Sequence, residues 1–294
     1  MSAFRSGVVG LFGRPNTGKS SLFNRLLGQK LAIVSQREQT TRHLLTGILT
    51  DAHSQLVLVD SPGYQTRHRS LLNRALNQRA GEAARDGDVV AFVVEALRFD
   101  AADRAALARV PAQRQVVAVV NKIDRVRPAT RLLPFIERLS REFPFAAIVP
   151  VSASTGRNVA ELLGVLRGLL PEGPALFGAD QLTDRDERYF AGELLREKLF
   201  RLLGEELPYH CEVRVENYRE EERLRRIDAI IWVDRESHKP IVLGKGGALL
   251  KRISTEARKD MERLFGGTVF LQVWVKVRRG GSEDQRTLRE LGYA

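Results

Sequence analysis

Among 294 residues there is one cysteine, Cys211, so an internal disulfide and a cysteine-built metal cluster are both excluded. That usage fits a reducing cytosol. Long apolar runs are missing as well: residues 89–94 and 116–120 are strand-length, far short of the ~20 residues that cross a bilayer. The short apolar run after Arg5 and Ser6 has no small-residue cleavage site behind it, so a cytoplasmic chain is expected rather than a signal peptide. Acidic residues are the scarcer charge, 36 against 47 lysines and arginines, which leaves a formal +11 and a pI near 10.2. A polyanionic partner is implied, although charge alone does not separate RNA, DNA, an anionic membrane surface and simple solubility. What the chain does have is 43% hydrophobic residues and a length that predicts two domains with cores of their own.

Residues 13–20 read Gly-Arg-Pro-Asn-Thr-Gly-Lys-Ser. Glycines at Gly13 and Gly18 let the backbone wrap a phosphate chain with its N–H groups, Lys19 supplies a point charge, and Ser20 a metal ligand: this is a P-loop. A strand is expected over 7–12 and a helix from Ser20 and Ser21 to Leu27, closed by Gly28, so phosphate would meet the N–H groups and positive dipole at a helix start.

After a polar stretch over 31–42, runs at 44–50 and 55–60 flank turn residues 51–54 and predict a hairpin. Further strands at 89–94, 116–120 and 147–151 alternate with helical stretches near 70–85, 101–109, 130–142 and 158–170. The pattern predicts an α/β domain: a mainly parallel six-stranded sheet with helices on both faces and ligands at the carboxyl ends of its strands. Three more motifs fall at such ends. Asp60-Ser-Pro-Gly63 can hold magnesium through water with Asp60 and contact a terminal phosphate through the Gly63 amide. In Asn121-Lys122-Ile-Asp124 a carboxylate matches the paired N–H donors of guanine, a pairing adenine does not offer. Ser152 and Ala153 form a small-residue loop whose backbone could touch the base edge, a weak signal alone. The arginines Arg67, Arg69, Arg74, Arg79 and Arg85 read first as a solvated helix face.

These features in this order resemble the translation-factor-related GTPases. The resemblance implies Mg²⁺ as cofactor, GTP and GDP as ligands with Asn16 and Thr17 in the binding loop, and a switch threonine that closes over the metal. Thr41 fits best, with Thr40 as rival and a plain flexible-loop threonine as the bland account. One position departs from many small GTPases: where a water-orienting glutamine would follow the glycine stands Tyr64, with Gln65 one place late. Members of the subgroup without that glutamine use a P-loop asparagine to bind potassium. Asn16 stands at the matching place, so K⁺ is implied as a second cofactor, the alternative being that Asn16 only orders the loop.

Prolines and glycines over 171–178 mark a domain link, which places a GTPase domain at 1–172, a linker at 173–183 and a second domain at 184–294. The second domain predicts helix, strand, strand, helix, helix, strand, an α+β arrangement. Between its later helices lies Gly244-Lys245-Gly246-Gly247, where glycines around a basic residue let a nucleic-acid backbone approach the main chain. This resembles the Gly-x-x-Gly loop of a type II KH domain, which clamps about four nucleotides. Residues 239–279 hold ten basic and three acidic side chains, among them Lys251 and Arg252. Phosphate contacts there, with Ile241, Val242 and Leu243 as an apolar floor for bases, make these the expected RNA-binding residues.

A GTPase domain followed by a KH domain, with Gly13-Arg-Pro-Asn16, Gln39-Thr-Thr-Arg-His43, residues 241–247 and Trp274-Val-Lys-Val277, resembles the Era family of bacterial ribosome-assembly GTPases over nearly the whole chain. Membership implies a GTP-hydrolysing assembly factor that binds 16S ribosomal RNA near its 3′ end and the 30S subunit in a nucleotide-dependent manner, as a monomer. Ser61 stands where the family usually has threonine. A rival reading is a regulatory GTPase whose second domain docks on protein or on the inner face of the cell membrane. The expected catalytic set is Asn16, Lys19, Thr41 and Gly63, and the expected metal ligands are Ser20, Thr41 and Asp60.

Overall fold

The computed structural model describes residues 3–35, 37–66, 71–204 and 206–278, in two compact units, residues 1–184 and 185–294. Arg67 and Arg69 lie outside the described residues.

In the first unit, β1 (Arg5–Phe12) pairs in parallel with β3 (Ser54–Asp60) on one side and β4 (Val89–Glu95) on the other. Beyond β4 follow β5 (Gln115–Asn121) and β6 (Ala147–Pro150), both parallel, while β2 (Leu45–Thr50) closes the opposite edge antiparallel to β3. The order β2-β3-β1-β4-β5-β6 reverses direction at β1. A crevice opens at such a switch point beyond the carboxyl ends of the strands, and the loop after β1 leads into it. The central strands read as unbroken Val, Ala and Phe because both faces are covered; Val89 to Val94 are all fully buried. The covering helices are α1 (Lys19–Leu27), α2 (Leu71–Asp86), α3 (Ala101–Leu107), α4 (Leu132–Leu139) and α5 (Val159–Leu169). At Gly10 the α2 backbone lies so close that a Cβ would sit 2.1 Å from the Ala83 carbonyl oxygen.

Residues 173–183, read from composition as a domain link, are bonded to the first unit at several points. Buried Gln55 of β3 accepts at Oε1 from the Leu176 and Phe177 amides and donates from Nε2 to the Phe177 carbonyl, at 2.6, 2.9 and 2.9 Å. The Ile48 amide donates to the Leu182 carbonyl at 2.8 Å, and the Thr183 hydroxyl donates to the Thr46 carbonyl at 2.7 Å. The link thereby covers part of the exposed edge of β2.

The second unit comprises α6 (Glu187–Leu202), β7 (Cys211–Glu221), β8 (Leu224–Val233), α7 (His238–Leu243), α8 (Ala248–Phe265) and β9 (Thr268–Val277). Its sheet runs β7-β8-β9, antiparallel then parallel. One face packs against the helices through Ile227, Ala229, Ile231, Val233, Val269 and Val275, joined by Leu195, Leu199, Ile253, Ala257 and Met261. Buried Cys211 is part of this core.

Candidate nucleotide and nucleic-acid sites

The P-loop requires a backbone that ordinary residues resist. Gly13 has φ +140° and a Cβ there would meet the Val93 carbonyl at 2.4 Å, while Gly18, at φ +96°, touches the Asn121 side-chain amide. Lys19 is 5% exposed, and its Nζ donates to the carbonyls of Gly13 and Arg14 at 3.1 and 2.7 Å. Burial pulls its pKa down to about 8, partly opposed by the Asp60 charge. Asp60 at the end of β3 is fully buried and pushed up to about 6 by that burial, against the opposing hydrogen bond from Ser20 and the Lys19 charge. Burial disfavours both charges, which a phosphate chain and a divalent cation would each offset.

Three oxygens converge beside them. The Ser20 hydroxyl donates to Asp60 Oδ2 at 2.6 Å and lies 2.9 Å from the Thr41 hydroxyl, which reaches the same carboxylate oxygen at 3.4 Å. Among the described residues, Asp60 Oδ1 is buried and without a hydrogen-bond partner. One carboxylate and two hydroxyls are a hard-oxygen set of the kind magnesium takes alongside phosphate oxygens, and the orphaned Oδ1 has capacity for its bound water. The residues fit the ion. Thr40 is turned elsewhere: its hydroxyl is 2.5 Å from that of Ser35 and donates to the Arg37 carbonyl at 2.9 Å. Of the two threonines, Thr41 is the one whose hydroxyl stands beside Ser20 and Asp60.

Gly63 lies against the P-loop, where a Cβ would be 2.4 Å from the Pro15 nitrogen, and the next amide, of Tyr64, donates to the Gly13 carbonyl at 3.1 Å. Ser61 anchors the turn by donating to the Leu11 carbonyl at 2.6 Å. Neither residue after Gly63 takes the place of a water-orienting glutamine: Tyr64 packs on Phe12 and accepts from Arg109 at 3.0 Å, while Gln65 donates to Glu38 at 3.0 Å. Asn16, at φ +61°, is exposed, and its side chain makes no hydrogen bond among the described residues. Ser20, Ser21, Lys19, Thr41 and Gly63 line one cleft with Asn16.

At the end of β5, Asn121 ties three loops together: its Nδ2 donates to the Thr17 carbonyl at 2.9 Å, and its Oδ1 accepts from the Ala153 amide at 3.0 Å. That amide is therefore engaged within the protein. Lys122, at φ +67°, pairs with Glu95 at 2.9 Å. Asp124 is exposed, and the Ser152 hydroxyl donates to its Oδ1 at 2.6 Å, which holds the carboxyl below its usual range. Sequence reasoning assigned only backbone to the Ser152 loop and missed this side-chain contact, along with Glu95 and Arg25, whose Nε donates to the Ala153 carbonyl at 2.9 Å. No motif signals a partner so distant in sequence.

In the second unit α7 ends at Gly244, and Gly246 and Gly247 take φ +58° and +79° before α8 begins. A Cβ on Gly244 would meet that of Leu249 at 2.6 Å, whereas Gly246 and Gly247 face open space. Lys245, Lys251 and Arg252 are exposed, the last paired with Glu256 at 2.9 Å. Ile241 is 54% exposed, but Val242 is fully buried in the core, so Val242 is corrected from floor to core residue and Leu243 packs against that core too. Successive residues of a helix are rotated by about 100°, so three apolar neighbours cannot share one face.

Comparison with known proteins bears on both sites. Residues 8–122 match the family model described as 50S ribosome-binding GTPase, and residues 206–282 match that of the KH domain. GTPase Era of Chromobacterium violaceum is 51% identical over 289 residues, covering 98% of this chain and 98% of that protein. The chain belongs to the Era family of GTPases. A solved structure of Era in complex with MgGDPNP and nucleotides 1506–1542 of 16S ribosomal RNA is 34% identical, with TM-score 0.94 over 99% of each chain. An Aquifex aeolicus Era variant bound to GDP.AlF4- matches at TM-score 0.95 and 34% identity over 99% of this chain and 100% of that one. The P-loop GTPase fold followed by a KH domain is thus shared along the length of this Era-family chain. Among the described residues, no helix is long and apolar enough to cross a membrane.

Proposed function

We propose that this Era-family chain binds and hydrolyses GTP with Mg²⁺ and, through its KH domain, grips 16S ribosomal RNA near the 3′ end as a nucleotide-timed assembly factor of the 30S subunit. The observation that carries the reading is the convergence of Ser20, Thr41 and Asp60, with its orphaned Oδ1, beside buried Lys19. Magnesium, when bound, neutralises charge on the β- and γ-phosphate oxygens. Lys19 adds its own charge there, the Gly63 amide meets the terminal phosphate, and residues 13–21 cradle the chain with their N–H groups. Asp124, kept ionised by Ser152, selects guanine, while Asn121 and Lys122 hold the base pocket in shape. Lys245 and the glycines around it, with Ile241, Lys251 and Arg252, take the RNA backbone and its bases.

The exposed, unbonded side chain of Asn16 supports a further role, ligation of K⁺ beside the transferred phosphoryl. Steady-state hydrolysis that is faster in potassium than in sodium buffer supports it, and equal rates reject it. The reading as a whole is tested by calorimetric titration with GDP, a GTP analogue and an ATP analogue in Mg²⁺. Heat with the first two and none with the third is expected; no heat with guanine nucleotides rejects it. The cytoplasm, with or without contact at the inner membrane face, is the compartment this function requires.

A further inference from the structure

Both tryptophans of the chain lie on the face of the second unit's sheet that turns away from the helices. Alternation along β9 sends Val269, Leu271, Val273 and Val275 inward and leaves Phe270, Gln272, Trp274 and Lys276 outward. Register extends the outward rows across the sheet: Arg219 and Arg226 beside Phe270, Asn217 and Asp228 beside Gln272, Arg214 and Ile230 beside Trp274, and Glu212 and Trp232 beside Lys276. Phe270 and Trp274 are each 45% exposed, a large apolar investment on a strand whose other face already supplies a core. Cations are interleaved with these rings. The Arg226 guanidinium sits 5.5 Å from the Phe270 centroid, and Lys276 Nζ sits 5.8 Å from that of Trp232.

We propose that this open sheet face is a second binding surface for single-stranded RNA, distinct from the Gly244–Gly247 loop, with bases stacking on Trp274 and Phe270 and phosphates meeting Arg214, Arg226 and Lys276. Aromatic platforms set among cations are what a flexible polyanion with π-faces requires, because every base can stack and each phosphate needs one positive partner. Lysine is depleted at the core of a protein-docking patch, whereas here Lys276 lies over the Trp232 ring. Gln272 and Asn217 add amides that can bond base edges. The existing pairs Arg226–Glu221 at 3.0 Å and Arg214–Glu216 at 3.4 Å are solvent-exposed, so exchanging a carboxylate for a phosphate costs little.

The inference rests on the reading of this chain as an RNA-binding protein, and the test separates the two. The full chain is titrated with a tetranucleotide, which the Gly-x-x-Gly loop alone can hold, and with a twelve-nucleotide single strand, by anisotropy and by intrinsic tryptophan fluorescence. Because both tryptophans lie on this face, their quenching reports it directly. The twelve-nucleotide strand is expected to quench fluorescence, and Trp274→Ala and, separately, Lys276→Glu are expected to weaken it roughly tenfold or more while tetranucleotide binding and GTP hydrolysis stay at wild-type level. Wild-type affinity for the longer strand in both variants overturns the proposal while leaving the loop reading intact. Failure of the wild type to bind either RNA overturns both. Vesicles of phosphatidylglycerol that quench the tryptophans when RNA does not would assign the face to an anionic membrane and overturn the proposal as well.

Discussion

The Ser152 hydroxyl is the largest of several contacts, the Ser154 hydroxyl among them, that hold the Asp124 carboxyl below its usual range, and the carboxylate makes a base-specific prediction. Asparagine in its place offers one donor and one acceptor where guanine needs two acceptors. Asp124→Asn should therefore cost about 10²- to 10⁴-fold in GTP affinity and favour a xanthine nucleotide, checked by competitive binding. Thr41 and Thr40 form a natural pair of controls. Thr41→Ala should weaken Mg²⁺-dependent retention of a GTP analogue by about 10- to 100-fold, by analogy with lost metal-site contacts. Thr40→Ala, which removes only the bonds to Ser35 and Arg37, should leave it unchanged. The motif residues were legible because each stands in a short local pattern with its own chemistry. Ser152 bonded to Asp124, Glu95 bonded to Lys122, and the burial of Val242 were not legible, since they depend on which distant strand ends meet or on how a short helix is turned.

Elements were readable wherever burial imposes a period. The apolar strands β1, β4 and β5 and the alternation in β8 and β9 show in the sequence because each face must meet a fixed environment. The loop between α7 and α8 shows how glycines in one motif do different work. Gly244 is packed against Leu249, so Gly244→Asp must move backbone or side chain and should cost about 1–3 kcal/mol, as overpacking does. Gly246 faces open space, so Gly246→Asp carries only the strain of its positive φ, about 1 kcal/mol. Denaturant melting should rank the two in that order, while Gly246→Asp, which sets a carboxylate against phosphate, should abolish tetranucleotide binding in a folded protein.

Across the whole molecule, the stretch least legible was the link. Its prolines and glycines mark a domain link, but nothing local shows that Gln55, more than a hundred residues earlier in the chain, pins it to β3. Gln55→Leu would leave buried amides unpaired at a cost of about 1–3 kcal/mol. Limited proteolysis should then cut within 174–183 faster than in the wild type, with nucleotide affinity preserved. The central claim is that the state of the phosphate chain at residues 13–20 governs the grip on RNA at the Gly244–Gly247 loop. A ligand shifts such an equilibrium only through differential binding to its two states. The most direct measurement is the affinity of the full chain for a single strand carrying the 3′ end of 16S ribosomal RNA, taken in Mg²⁺ with a GTP analogue and again with GDP. The account predicts at least tenfold different values, about 1.4 kcal/mol of coupling; equal affinities in the two states would contradict it.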